Sequence, residues 1–91
     1  MLHTSEARFS RTQYSFKCHE TGETIKVVEH TCDVYGFEGC VIVQQSDREG
    51  FELQKSRYAK GDKNVMFETL REAKKAARRY AVYHYDCVTA R

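Results

Sequence analysis

The apolar residues of this chain change their period at Thr69. Upstream they alternate at every second position, the spacing of strands that bury one face; from Leu70 onward they recur every three or four, the spacing of a helix with one apolar stripe. A chain of 91 residues removes only somewhat over ~60% of its unfolded surface from water on folding. The core is therefore thin, and laying one helical stripe against one sheet face buries both apolar surfaces together. The expected fold is α+β: an antiparallel β-meander of about four strands packed by one C-terminal amphipathic helix. A single domain spans residues 1–91, with residues 1–12 irregular.

Tyr14, Phe16 and Cys18 alternate with Ser15, Lys17 and His19, which predicts a first strand with those three side chains buried. Gly22 supplies the positive φ of a short hairpin turn, and Thr24 to Val28 resumes β-branched character beyond it. In the second strand Ile25 and Val27 have one parity while Val28, His30, Cys32 and Val34 have the other, so a β-bulge near Val28 is expected. Gly36 and Gly39 bracket the next turn, Cys40 to Val43 form a central strand, and Asp47 to Gly50 turn into a fourth strand at Phe51 to Lys55. The polar stretch from Ser56 to Asn64 reads as a mobile loop carrying Arg57, Lys60 and Lys63.

Thr69 Leu70 Arg71 Glu72 has the form of a capping box, so a helix is expected from Leu70 to about Tyr83. Its inward stripe would be Leu70, Ala73, Ala77, Tyr80 and His84. Residues 84–91 fit either a frayed end or a short edge strand. Arg71, Lys74, Lys75 and Arg78 share a ridge with Arg79 beside it, and Tyr83 lies next to these cations.

Charge is divided unevenly along the chain. Residues 20–52 hold two cations against eight acids, whereas residues 53–91 hold ten cations against four. Such asymmetry concerns partners more than fold. Glu68 and Glu72 sit at the start of the helix, where its dipole favours acids, and leave the ridge itself cationic. The candidate partner-binding residues are Lys60, Lys63, Arg71, Lys74, Lys75, Arg78, Arg79 and Tyr83.

Cys18, Cys32, Cys40 and Cys87 read as reduced thiols, since no secretory context accompanies them. Cys18 with His19, His30 with Cys32, and His84 with Cys87 do not match zinc spacing. No GxSxG, P-loop or GxGxxG motif occurs, so no catalytic residue, metal or cofactor is expected. The first six residues lack the apolar run of a signal peptide, and no stretch approaches the ~20 apolar residues of a membrane span. The expected location is the cytosol.

Phe67 Glu68 Thr69 Leu70 Arg71 Glu72 Ala73 Lys74 Lys75 Ala76, following a β-meander and followed by a tyrosine-rich C-terminus, resembles small phage anti-CRISPR proteins directed at type I-F surveillance complexes. The resemblance implies an inhibitor in the bacterial cytosol that docks on Cas backbone subunits or guide RNA and keeps target DNA from pairing. Some members of that group are acidic DNA mimics; the basic C-terminal half departs from them and suits RNA or an acidic protein surface. The alternative is a stand-alone nucleic-acid-binding module that uses the basic helix.

Overall fold

The computed structural model describes residues 4–55 and 64–90. After a short 3-10 turn (Thr4–Glu6) come β1 (Ala7–Lys17), β2 (Thr24–Val34), β3 (Phe37–Gln45), β4 (Phe51–Lys55), β5 (Val65–Phe67) and α1 (Leu70–Thr89). The strands form one antiparallel sheet in the order β1-β2-β3-β4-β5, a meander covered by one C-terminal helix. The sheet has five strands, one more than expected: Val65–Phe67 pairs with Phe51–Leu53, and three residues are too few to show an alternating pattern.

The first strand also begins earlier than its sequence suggests. Ala7 to Lys17 pairs with Val34 to Thr24 in unbroken register, so residues 7–12, expected to be irregular, are strand. Ala7 and Phe9 alternate there with Arg8 and Ser10, but two apolar positions followed by Arg11 and Thr12 are too short a run to mark a strand, and the pairing comes from β2. Tyr14 and Phe16 are not buried; they remain 49% and 44% exposed, with the Tyr14 hydroxyl donating to Glu29 at 2.8 Å.

The parity change in β2 reflects burial on two faces, not a bulge at Val28. Cys32 and Val34 join Ala7, Cys40, Ile42, Leu53 and the helical alanines in the main core, whereas Ile25 and Val27 join Val43 in a smaller cluster on the opposite face. The register shift falls farther along, between Cys32 and Asp33, where Cys32 pairs with Cys40 but Asp33 pairs with Glu38. Gly39 is therefore the extra residue, and it belongs to β3. The turn before it is Tyr35–Gly36, both with positive φ (50° and 83°), the conformation of a tight hairpin connection.

Gly39 matters because α1 crosses there. An added Cβ would stand 2.7 Å from both the Cα and the Cβ of Ala81. Ala73, Ala77 and Ala81, spaced by four, line the buried face with Val82, and their small side chains let the helix approach β3. Ala73 and Ala77 were expected inside; Leu70, Tyr80 and His84 instead flank the contact, half-buried. The stripe is thus rotated towards β1. No helix among the described residues is long and apolar enough to cross a membrane.

Candidate functional site

Thr69 begins α1 as expected: extended at φ −124°, it accepts the amide of Glu72 on Oγ1 at 3.2 Å. The helix continues to Thr89, beyond the expected end at Tyr83, and residues 84–89 are neither frayed nor strand. The Tyr85 ring meets Tyr35 and Phe37 edge-on, with centroids 5.6 and 5.5 Å away, and fastens the last turns to the β2–β3 hairpin. Tyr35 is itself held by a hydroxyl bond to the Glu6 carboxylate at 3.1 Å.

The expected basic ridge divides in two. Lys74 and Arg78 lie half-buried on the flank facing β1, with Nζ and Cζ standing 5.2 and 5.1 Å from the Phe9 ring centroid. Both charged groups thus stand over the Phe9 ring at cation–π distance, which holds the two cations at the β1 flank. Arg71, Lys75 and Arg79, four residues apart, project from the outer face, and Tyr83 is 67% exposed beside them. Lys60 and Lys63 lie outside the described residues.

Arg11 extends this band onto the sheet. It stands opposite His30 in the β1–β2 ladder, and Arg11 was not among the expected site residues because its neighbours Ser10 and Thr12 show no basic run. His30 reports on the local field: burial first, then the charges of Lys74 and Arg11, hold its imidazole below the usual histidine value of 6.5. Among the described residues the one ion pair is Arg48 with Glu52, at 3.8 Å, so the α1 cations have no carboxylate partner there.

The sign of the His30 effect gives a test. The folded domain resists protonating His30, whereas the unfolded chain takes that proton near pH 6.5. Between the folded value and 6.5 the unfolded state binds more protons, so stability falls as pH drops through this window and levels off below it. Urea midpoints measured from about pH 7 to pH 5 are expected to show a shallower decline for His30→Gln than for the parent; equal slopes would mean that His30 titrates freely.

The other titratable clusters offer less. Cys32 and Cys40 form a buried cross-strand pair of free thiols; the hydrogen bond to Cys32 and burial push the Cys40 thiol far up, and Cys40 donates to the Ala77 carbonyl at 3.5 Å. Cys18 is partly exposed in the hairpin, where the Thr21 hydroxyl and the amides of Thr21 and Glu20 hold its thiol down. Cys87 is exposed on α1, and His84 stacks on Tyr80 at 5.9 Å. Among the described residues no three His, Cys, Asp or Glu side chains gather in a way that would hold a metal ion. An open depression of about 430 Å³ is lined by Glu49, Gly50, Met66, Phe67 and Glu68.

No protein family, curated protein or solved structure matches this chain.

Proposed function

We propose that this domain acts by binding, with no catalysis of its own, and that it docks on an anionic partner through the cations of α1. The observation that carries this reading is the set of Arg71, Lys74, Lys75, Arg78 and Arg79, none with a carboxylate partner among the described residues, and with two of them held against Phe9 beside Arg11. Concentrated charge of one sign repels itself in the free protein. It also attracts phosphate or acidic surface and speeds encounter. In keeping with the resemblance to type I-F inhibitors, the proposed partner is a CRISPR surveillance complex, approached through its guide RNA or an acidic Cas surface, and the proposed effect is to keep target DNA from pairing.

The split of the ridge selects the residues to change. Arg78 covers Phe9, so its reversal would mix a packing loss with a charge effect. Arg71, Lys75 and Arg79 are exposed, and exposed substitutions typically change stability by about half a kcal/mol or less. Replacing all three with Glu is expected to preserve the circular dichroism spectrum and the melting profile while reducing capture of a purified type I-F surveillance complex by at least about 100-fold. A triple variant that captures the complex as the parent does would remove the helix from the docking surface. Binding to RNA alone, with equal affinity and steep salt dependence, would favour the free-standing nucleic-acid module instead.

A further inference from the structure

We propose that the free edge of β1, beside the cations of α1, is a strand-addition site for an extended acidic segment of a partner protein. This deepens the reading of the basic band and rests on it. β1 is an edge of the sheet, and among the described residues it pairs with β2 alone, in one register over 11 residues. The direction of its spare backbone groups follows from the next ladder. The Ser46 amide donates to the Lys26 carbonyl at 2.9 Å, so Lys26 turns its backbone towards β3 and away from its β1 partner, Ser15. Directly opposed residues in an antiparallel pair either face each other or both face away. By alternation Phe9, Arg11, Gln13 and Ser15 therefore point N–H and C=O outward. Their side chains lie on the helix side, as Phe9 shows by packing beneath Lys74 and Arg78.

Proteins ordinarily blunt a long edge with proline, a bulge, brevity or charged side chains. β1 uses the last alone: it carries Arg8, Arg11 and Lys17 and no acid, which turns away another cationic strand but not an acidic one. These charges decide the occupant. A second copy would set two such cationic strands side by side, with Lys74 and Arg78 from each copy adding to the repulsion. A nucleic acid offers phosphate acceptors but no row of donors for the outward carbonyls. An acidic peptide in extended form supplies both ladder groups and, at every second residue, a carboxylate for Arg11, Lys74 or Arg78.

The test uses the full chain and a short synthetic peptide of alternating Glu and Val, with its N-methylated form, a Lys and Val counterpart and a uridine oligonucleotide as comparisons. The Glu and Val peptide is expected to bind and to slow amide exchange at Phe9, Arg11, Gln13 and Ser15, while Ser10, Thr12 and Tyr14, already bonded to β2, stay unchanged. Gln13→Pro in the protein is expected to weaken binding about tenfold, the effect of one lost ladder bond, without altering the fold. N-methylation at alternate residues of the peptide, by contrast, removes every bond it would donate and is expected to abolish binding. Absence of peptide binding, or binding that leaves those four amides unprotected, overturns the proposal. So does protection of the same amides by the oligonucleotide, or by raising the protein concentration alone, which would identify RNA or a second copy as the occupant. If reversal of Arg71, Lys75 and Arg79 leaves capture of the surveillance complex intact, the basic-band reading itself fails. If that reversal abolishes capture but Gln13→Pro and the exchange pattern have no effect, only strand addition fails.

Discussion

Replacing Ala77 with Glu is expected to unfold the domain. Ala77 is fully buried where α1 crosses β3, and its carbonyl accepts the Cys40 thiol at 3.5 Å. A carboxylate at this position would be pressed among Ile42, Cys40 and the neighbouring alanines with no cation to pair with, since Lys74 and Arg78 are engaged at the β1 flank. Burying an unpaired charge costs several kcal/mol even after its pKa shifts. A domain of this size has about 5–15 kcal/mol of stability in total, and the extra volume strains the contact further. The expected result is loss of the cooperative thermal transition and collapse of amide dispersion in an NMR spectrum. Lys75→Glu, two residues away on the exposed face, serves as the control and should melt as the parent does. A cooperative melt of Ala77→Glu within a few degrees of the parent would mean that the helix is rotated from the orientation described.

Gly39→Val is expected to have the second largest effect, through backbone contact and not charge. The missing Cβ would stand 2.7 Å from the Ala81 Cα, and main-chain atoms cannot turn aside as a flexible side chain does. The helix must lift off β3 or the bulge at Cys32 and Asp33 must close, and either change opens the main core. Overpacking of this kind costs about 3 kcal/mol, which lowers the melting temperature of a domain this size by roughly 12–24 °C. Ala81→Gly in the same chain is expected to restore part of the loss, because it removes the Cβ contact but leaves the one at Cα. A double-mutant cycle on urea midpoints measures that coupling. Additive effects would show that Gly39 and Ala81 do not touch.

Where the sequence was legible, each signal was local. The Thr69 cap, the hairpin at Gly22 and the turn at Gly50 all depend on residues within a few positions of one another, and each stands where those residues predict. The signals that misled were also local. Tyr14 and Phe16 alternate like buried residues but lie 49% and 44% exposed, because alternation shows that two side chains share a face without showing whether anything covers it. Gly39 read as a turn marker; its role as the contact point for Ala81 depends on a helix more than forty positions away. In the candidate site, the cations of α1 were legible as a ridge. Their division into Lys74 and Arg78 over Phe9 and Arg71, Lys75 and Arg79 facing outward was not, nor was the addition of Arg11.

The sequence by itself determined the α+β class, the meander and the start and composition of the helix, because period, turn residues and caps act over a few bonds. Only the tertiary structure decided the rest. Pairing with β2 extended β1 back to Ala7, pairing with β4 created β5, and the contact of Tyr85 with Tyr35 and Phe37 carried α1 on to Thr89. The rotation of α1 was also settled there. The alanines that fit the narrow approach at Gly39 turned inward, and that rotation carried Lys74 and Arg78 to the β1 edge and left Arg71, Lys75 and Arg79 outside, since close packing between surfaces distant in sequence is decided by shape, which residue spacing does not encode.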